Sequence, residues 1–291
     1  MHGPTLAAGP ETALVGVWAR RPDAARALAA DLGTTAAGSY DELLDRCEAV
    51  AFAVPPDVQV ELAVRAARAG KAVLLEKPVA VTVAGAERVA DAVGEAGVVS
   101  QIVLTKRYHP ATRAFLATAA EFAATGARAR YLHGGFLTGP FANGWRLAHG
   151  ALLDLGPHLL DLVTAALGPV DEIASHGDPT GWLELTCVHR GGAVSQLSLS
   201  GAVGLPRSRA GVELYGPAGV VEIDFAEVDH AACWPVVRAE FARAVRTGVP
   251  HELDARHGLA LQRLLDRAAA QRPSNPASRL IAPATMATPN T

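Results

Sequence analysis

The sequence has few cysteines, few aromatic residues and no large excess of charge of either sign. Its three cysteines, Cys47, Cys187 and Cys233, are odd in number and form no C-x-x-C pair, so they suggest neither a disulfide framework nor a thiolate metal site. With 26 basic and 29 acidic side chains, the net charge of -3 provides no field to attract nucleic acid or an anionic membrane. We therefore expect a protein of a reducing cytoplasm that binds neither partner.

Signals for export and for membrane insertion are also lacking. The segment that starts at Met1 has no basic stretch followed by an apolar one. The most apolar stretch, residues 152–167, carries the polar side chains of Asp154, His158 and Asp161. The sequence predicts no signal peptide and no membrane span.

The first third of the chain alternates short apolar runs with helical patterns. Near-continuous apolar strands that alternate with helices predict a parallel sheet covered on both faces, and hence an α/β domain, which we place at residues 1–107. The predicted strands are residues 13–18, 49–54, 72–75 and 98–104, and the predicted helices are residues 23–32, 40–46 capped by Ser39, 58–69 and 82–97.

The pattern changes near residue 110, and a second domain is predicted over residues 108–272. Its strands are separated by Gly and Pro turns, which predicts a mostly antiparallel sheet in an α+β domain. Residues 273–291 are rich in Pro, Ala, Ser and Thr, and we expect a disordered tail there. The predicted strands are 130–136, 170–175, 182–189, 193–200, 210–215 and 220–225, with helices from about 111 and at 152–167, 236–246 and 256–270.

The tripeptide Glu76-Lys77-Pro78 follows directly on the apolar strand 72–75. Ligands of open α/β sheets collect outside the carboxyl ends of the strands, and burial there lowers a lysine pKa from its usual value of about 10.4. A lysine held at that place by a proline is positioned for chemistry. The alternative is an ordinary surface turn, because Lys-Pro pairs are common.

Three polar residues of the apolar segment 152–167 fall at positions i, i+4 and i+7. Asp154, His158 and Asp161 would therefore share one helix face. A carboxylate and an imidazole one turn apart can orient a hydroxyl and remove its proton. The alternatives are a set of caps and solvated polar groups or half of a metal site. No H-E-x-x-H spacing supplies a further ligand, so we expect no metal.

Four segments together resemble the glucose-fructose oxidoreductase and inositol dehydrogenase family (Gfo/Idh/MocA). The likeness extends to about Ala270. It implies a Rossmann-like dinucleotide-binding domain and a mixed α/β domain whose open sheet often mediates dimers or tetramers. It also implies hydride transfer between a nicotinamide and a sugar, polyol or related carbonyl compound. The segments are, in order, residues 69–78, 107–110, 145–146 and 154–161.

The resemblance assigns roles to individual residues. Lys77 would hydrogen-bond the reacting oxygen, His158 would be the acid/base, and Asp154 would orient the substrate and tune both. Lys77 beside His158 lowers the pKa of both groups. The bond before Pro78 is expected to be cis, as in relatives, which would turn the lysine into the cleft.

The same resemblance places the cofactor. Arg20 and Arg21 stand just past the first predicted strand, where an acid would bind the ribose 2'-hydroxyl of NAD. Two guanidiniums can instead clasp a 2'-phosphate, which favours NADP, with NAD possible; the alternative is that both are solvated. Asp23 is expected at a helix N-terminus. The predicted cofactor contacts are Arg20, Arg21, Val54, Pro55, Pro56, Glu76, Lys77 and Pro78.

Three further residues are candidates for contact with the substrate. Arg107, Trp145 and Arg146 are predicted to face the cleft, where arginines suit an anionic or polyhydroxylated substrate. Structural pairing of these side chains is the alternative. The sequence does not identify the substrate.

The resemblance does not include the motif with which members of the family begin. Relatives open with a strand and G-x-G-x-x-G, and this sequence has neither; residues 2–8 match the helix that follows that loop. In the strand order 3-2-1-4-5-6 the missing strand would lie between strands 13–18 and 49–54. Both would lose a partner, at about 1–3 kcal/mol for each unsatisfied buried group.

Two hypotheses of different classes follow. The first is an NADP-dependent oxidoreductase whose recorded chain starts at an internal methionine of a longer protein. The second is a degenerate relative that no longer binds dinucleotide and acts as a binding or assembly subunit through its antiparallel sheet. The joint presence of Lys77, Asp154 and His158 favours the first, because a relative without activity has no chemical reason to keep all three.

Overall fold

A computed structural model describes residues 2–139, 142 and 144–271 of the protein. The segment predicted to be a disordered tail, residues 273–291, lies outside the described residues. Within the described residues, the strands form one sheet of three strands and one of six.

The three-stranded sheet is parallel, as predicted. Its order is β1 (Ala49–Ala51), β2 (Ala72–Glu76) and β3 (Ser100–Val103). The apolar residues of β2 are almost completely buried, as expected for the central strand of a covered parallel sheet. The helices of this part are α1 (His2–Ala7), α2 (Pro22–Asp31), α3 (Tyr40–Arg46), α4 (Pro56–Arg68) and α5 (Val83–Ala96).

Local signals for helix ends are confirmed. The Ser39 hydroxyl accepts a hydrogen bond from Glu42 N at 3.1 Å and so caps α3. Thr82 caps α5 in the same way, and Gly97 ends that helix in the left-handed conformation. These caps are short-range interactions, and this is why the sequence alone predicts them.

The strand predicted at residues 13–18 is wrong. Among the described residues, this segment makes one isolated bridge, between Val17 and Ala36, and no ladder. The hydroxyls of Thr34 and Thr35 donate to Leu14 O and Val15 O, so side chains satisfy two of its carbonyls. An apolar run becomes a strand only where another strand is present to pair with it, and the described residues supply none here.

The six-stranded sheet is mostly antiparallel, as predicted. Its strand order is β5-β6-β7-β4-β8-β9, and the pairing of β4 with β7 is its parallel contact. The strand predicted at residues 130–136 lies earlier, because alanines 127 and 129 supply its buried face. The strands are β4 (Gly126–Leu132), β5 (Val170–Gly177), β6 (Leu183–His189), β7 (Val194–Ser200), β8 (Arg209–Gly216) and β9 (Gly219–Asp224).

The helix predicted at residues 152–167 is interrupted. One helix ends at Asp154 and the next begins at Gly156, with Leu155 between them. Pro157 lacks the N–H that a continuous helix would need, which accounts for the break. The helices of this part are α6 (Thr105–Tyr108), α7 (Pro110–Glu121), α8 (Gly144–Asp154), α9 (Gly156–Leu167), α10 (Cys233–Thr247) and α11 (Ala255–Ala270), with short 3₁₀ turns at Phe225–Glu227 and His230–Ala232.

The stretch Gly144–Leu167 is long and apolar enough to cross a membrane, with a mean hydropathy of 1.3. However, 78% of its most apolar window is buried inside the protein. Within the described part of the chain, this stretch therefore packs as a core element.

Candidate active site

Lys77 lies at the carboxyl end of β2, as predicted from the position of Glu76-Lys77-Pro78 directly after an apolar strand. The peptide bond between Lys77 and Pro78 is cis, as expected. The Lys77 ammonium donates hydrogen bonds to Asp154 Oδ1 at 2.8 Å and to the Asp154 carbonyl oxygen at 2.6 Å. The structure thus joins two of the three predicted catalytic residues, which are 77 positions apart in the sequence.

The turn that carries Lys77 is held by Gln59, which sequence reasoning missed. This glutamine is completely buried in α4. Its amide nitrogen donates to Glu76 O at 2.9 Å and to Val79 O at 3.1 Å, and its oxygen accepts from Glu76 N at 2.8 Å. One side chain therefore satisfies backbone groups on both sides of Lys77.

Asp154 is the buried carboxylate of the site, and α8 is bent to place it. Gly150 has φ 68° inside α8, and a Cβ there would lie 2.4 Å from Pro179 O, so this position requires glycine. Burial acts to raise the pKa of Asp154, but the charge and hydrogen bond of Lys77, together with Arg146, hold that pKa below its ordinary value. Asp154 is therefore ionised near neutral pH.

His158 is buried one turn further on, in the first turn of α9. Burial, followed by the charges of Lys77 and Lys106, keeps the His158 pKa well below its ordinary value, so the imidazole is neutral at pH 7. Its Nδ1 has no hydrogen-bond partner among the described residues. A neutral imidazole near an ammonium can accept a proton from a substrate hydroxyl and return it.

Asp161, the third residue of the predicted helix face, pairs with side chains other than Lys77 and His158. Asp161 is almost completely buried, and its Oδ1 accepts from Arg107 Nη1 at 2.9 Å and from His257 Nε2 at 2.8 Å. Arg107 also lies 3.3 Å from Glu252. These contacts favour the structural alternative for Arg107 over a contact with the substrate.

Trp145 and Arg146 lie beside the predicted catalytic residues. The Arg146 guanidinium stacks on the Trp145 ring, with its carbon 4.5 Å from the ring centroid. Arg146 Nε is 3.3 Å from Asp154 Oδ2. The structure therefore brings Arg146 to the carboxylate that also binds Lys77.

Lys106 is a second lysine at this edge of the sheet, and sequence reasoning missed it. Lys77 follows β2, and Lys106 follows the neighbouring strand β3 in α6. Its ammonium lies 4.5 Å from the Tyr131 ring centroid and 3.9 Å from that of Phe225. A lysine after a strand of this sheet is expected at the ligand-binding edge, as for Lys77, but the family-like segment 107–110 begins at the next residue and pointed to Arg107.

The predicted cofactor residues lie at loop ends. Val54 and Pro55 lie between β1 and α4, which begins at Pro56. Glu76 ends the adjacent strand β2, and Lys77 and Pro78 follow it. The Glu76 carboxylate is already engaged, by His2 Nε2 at 2.6 Å and by the amide of Lys77 at 3.2 Å.

Arg20 and Arg21 precede α2, and both are exposed. No ion pair joins either arginine to another described residue. Asp23 forms an ion pair with Arg26 within the first turns of α2, as expected for a residue at a helix N-terminus. The two predicted phosphate ligands are thus accessible.

Comparison with known proteins identifies the family. A family model described as "Oxidoreductase family, NAD-binding Rossmann fold" matches residues 1–103. A curated relative, the dTDP-3,4-didehydro-2,6-dideoxy-alpha-D-glucose 3-reductase of Streptomyces violaceoruber, is 31% identical over 254 residues, which cover 81% of this chain and 72% of the relative.

Solved structures share the fold at lower identity. GenD2 from gentamicin A biosynthesis, solved in complex with NAD, has a TM-score of 0.83 at 22% identity, with 93% of this chain and 89% of that chain covered. The UDP-N-acetylglucosamine 3-dehydrogenase GnnA from Acidithiobacillus ferrooxidans has a TM-score of 0.82 at 20% identity, with 93% of each chain covered. The fold and the site therefore define an oxidoreductase with an NAD-binding Rossmann fold. The chain belongs to the Gfo/Idh/MocA family, as its motifs indicated.

Proposed function

We propose that the protein is an NAD(P)-dependent oxidoreductase that transfers a hydride between a nicotinamide and a carbon of a sugar, polyol or related hydroxyl or carbonyl compound. The observation that carries the proposal is the contact of Lys77 with Asp154 beside a buried, neutral His158. The curated relative is a reductase of a dTDP-linked deoxysugar, and this supports a sugar as the substrate class.

Each of the three residues has a defined task in the oxidation of an alcohol. Lys77 donates a hydrogen bond to the reacting oxygen and stabilises the negative charge that develops there. His158 takes the hydroxyl proton as the C–H electron pair leaves as hydride, and in the reverse reaction it returns that proton. Asp154 holds Lys77 in place through their hydrogen bond. The nicotinamide, when bound, supplies or accepts the hydride.

The described residues fit the nicotinamide end of such a cofactor. Residues 54–56 and 76–78 follow adjacent parallel strands, so both segments lie at the same edge of the sheet. The exposed arginines Arg20 and Arg21 support a preference for NADP over NAD. Trp145 and Arg146, beside Asp154, are proposed to contact the substrate.

The remaining expectations concern the whole protein. We propose that residues 1–107 bind the cofactor and that residues 108–272 bind the substrate. The open face of the six-stranded sheet would mediate a homo-oligomer, either a dimer or a tetramer, in the cytoplasm. The contact of Lys77 with Asp154, with His158 one turn away, supports the catalytic hypothesis over that of a non-catalytic assembly subunit.

The function is tested with Lys77→Met. The expected result is a fall of at least about 100-fold in kcat with a sugar or polyol, since the developing charge loses its donor. Binding of NADPH, followed by nicotinamide fluorescence, should change little. Lys71→Met is the matched control, because Lys71 precedes the same strand at its opposite end, and it should keep full activity.

Cofactor choice is read in the same assay. Arg20→Ala with Arg21→Ala should weaken NADPH binding and leave NADH binding nearly unchanged, whereas Arg26→Ala, which removes an arginine already paired with Asp23, should affect neither. If neither nicotinamide binds the protein and no hydride transfer is detected, the proposed function is wrong.

A further inference from the structure

Lys106 carries a buried positive charge without a negative partner. The residue is 6% exposed, and its ammonium makes no hydrogen bond or ion pair with any other described residue. Its contacts are the faces of two aromatic rings, Tyr131 and Phe225. Ring faces compensate only part of the cost of taking an ammonium out of water, which leaves room for an anionic ligand.

The acidic residues nearby are committed elsewhere. Asp154 is contacted by both Lys77 and Arg146. Asp224 is exposed; its carboxylate accepts from Ala226 N at 2.9 Å and lies 3.8 Å from Arg130. Among the described residues, no acidic side chain contacts the Lys106 ammonium.

The position of Lys106 connects this charge to the reacting centre. Tyr131 contacts the Lys106 ammonium and also the His158 ring, with the two ring centroids 6.0 Å apart. Lys106 and Lys77 follow adjacent parallel strands at the same sheet edge. A group bound by Lys106 would thus lie at the same edge of the sheet as the oxygen bound by Lys77.

We propose that Lys106 binds an anionic oxygen group of the substrate, a carboxylate or a phosphoryl group, and thereby selects charged sugars or polyols over neutral ones. This inference rests on the proposed function, because it adds a specificity determinant to the same site. Lys106 is a binding residue in this account, and it takes no part in the transfer of the hydride or proton.

Proton uptake should accompany binding. Burial, followed by the charge of Lys77, lowers the Lys106 pKa to about 7, so that much of the free protein holds this amine neutral at about pH 8. An anionic ligand favours the charged form and raises that pKa. Binding of the ligand therefore draws a proton from solution.

The test is titration calorimetry of the full chain with D-glucose, D-glucuronate and D-glucose 1-phosphate, at about pH 8 in two buffers of different ionisation enthalpy. We expect at least one anionic probe to bind about 10- to 100-fold more tightly than glucose, with net proton uptake. Glucuronate as the better ligand would indicate a sugar acid, and glucose 1-phosphate would indicate a phosphorylated or nucleotide-linked sugar.

Variants locate the binding. Lys106→Met should abolish both the preference and the proton uptake, and Lys106→Arg should retain the preference. Arg20→Ala with Arg21→Ala is the matched control, since it removes two exposed cations that could also hold a phosphoryl group. If that double variant loses the preference and Lys106→Met keeps it, or if neither anionic probe binds at millimolar concentration, the inference is wrong.

The outcomes separate this inference from the proposed function. Nicotinamide binding and hydride transfer without any preference for the anionic probes over glucose would support the proposed function and overturn the inference. Anion binding that depends on Lys106, in a protein that binds no nicotinamide, would support the inference and overturn the proposed function. Far-ultraviolet circular dichroism of each variant confirms that it is folded.

Discussion

At the residue scale, the site joins one buried carboxylate, Asp154, to two cations, and a third amine lies close by. Lys77 and Arg146 both contact Asp154. The ammonium of Lys106 lies over the Tyr131 ring and contacts no acidic side chain among the described residues. As a result Asp154 is ionised, while burial and then the nearby positive charges lower the pKa of His158 and keep it neutral. These pKa shifts are consistent with the roles proposed above for Asp154 and His158.

Lys106→Met should stabilise the folded protein most below pH 7. The Lys106 pKa is about 7 in the folded state and near its ordinary value of 10.5 in the unfolded chain. The unfolded state therefore binds more protons between these values, so stability rises with pH there, and the full cost of the buried charge is present below about pH 7. The charged and titratable groups that interact with it are Lys77, Asp224, Cys233, His230 and His158.

The measurement is the free energy of unfolding in urea across that pH range. We expect a gain of about 1 to 4 kcal/mol for Lys106→Met near pH 6, and a gain that shrinks as the pH approaches about 10. For Lys71→Met, the difference from the unchanged protein should not depend on pH in this way. A gain for Lys106→Met that is constant with pH would contradict the assignment.

At the element scale, α4 both covers β2 and holds the turn that follows it. Its Gln59 forms hydrogen bonds to the backbone before and after Lys77, and so the helix determines the path of the turn that carries the lysine. A buried amide with three such partners is a positioning residue, since it does not touch the site itself. The turn keeps its shape only while α4 keeps its place on β2.

Gln59→Met should lower kcat by about 10- to 100-fold with little change in KM. The substitution keeps the side-chain volume but leaves Glu76 N, Glu76 O and Val79 O without their partner, so Lys77 is less well placed. Stability should fall by about 1–3 kcal/mol, because buried backbone groups lose hydrogen bonds.

Steady-state kinetics and urea unfolding together test this role. The matched control is Gln196→Met, at an exposed glutamine of β7, which should change neither quantity. A loss of stability with unchanged kcat would show that Gln59 supports the fold without positioning Lys77.

At the scale of the whole molecule, the site depends on how the two sheets are held together. Lys77 and Lys106 follow strands of the parallel sheet, whereas Asp154 and His158 belong to α8 and α9, which pack near the second sheet. Helix α11 contacts α5 and β3 on one side and α9 and β5 on the other. This helix therefore links the elements that supply the catalytic residues.

Gly258 lies where α11 packs tightly against β3 and the turn after β2. A Cβ at this position would lie 2.5 Å from Ile102 Cδ1 and from Val79 Cγ2. Gly258→Ala should therefore destabilise the protein by about 1–3 kcal/mol as these neighbours shift. Differential scanning calorimetry or urea unfolding measures the change.

A glycine in an uncrowded helix provides the control. At Gly94 of α5, the nearest atom to an added Cβ is Arg256 Nη2, at 3.7 Å. Gly94→Ala should stabilise the protein by about 0.5–1 kcal/mol, because alanine loses less backbone entropy in a helix. The same substitution is thus expected to lower the stability at Gly258 and to raise it at Gly94. Equal effects on stability would contradict the close packing of α11 at Gly258.

Local pattern by itself determined the alternation of strands and helices, the helix caps and the place of Lys77 at the end of a buried strand. The motifs that contain Lys77, Asp154 and His158 also determined the family. These features depend on neighbouring residues in the chain, through periodicity, capping and turn chemistry, and so they are present in the sequence alone.

Tertiary structure decided the features that depend on a distant partner. Residues 13–18 have the composition of a strand but form no ladder, because no described strand lies beside them. Arg107 turned towards Asp161, whereas its neighbour Lys106 was buried against two rings from β4 and the turn after β9. The reason is physical: strand pairing, ion pairing and burial are set by residues that only the folded chain brings together.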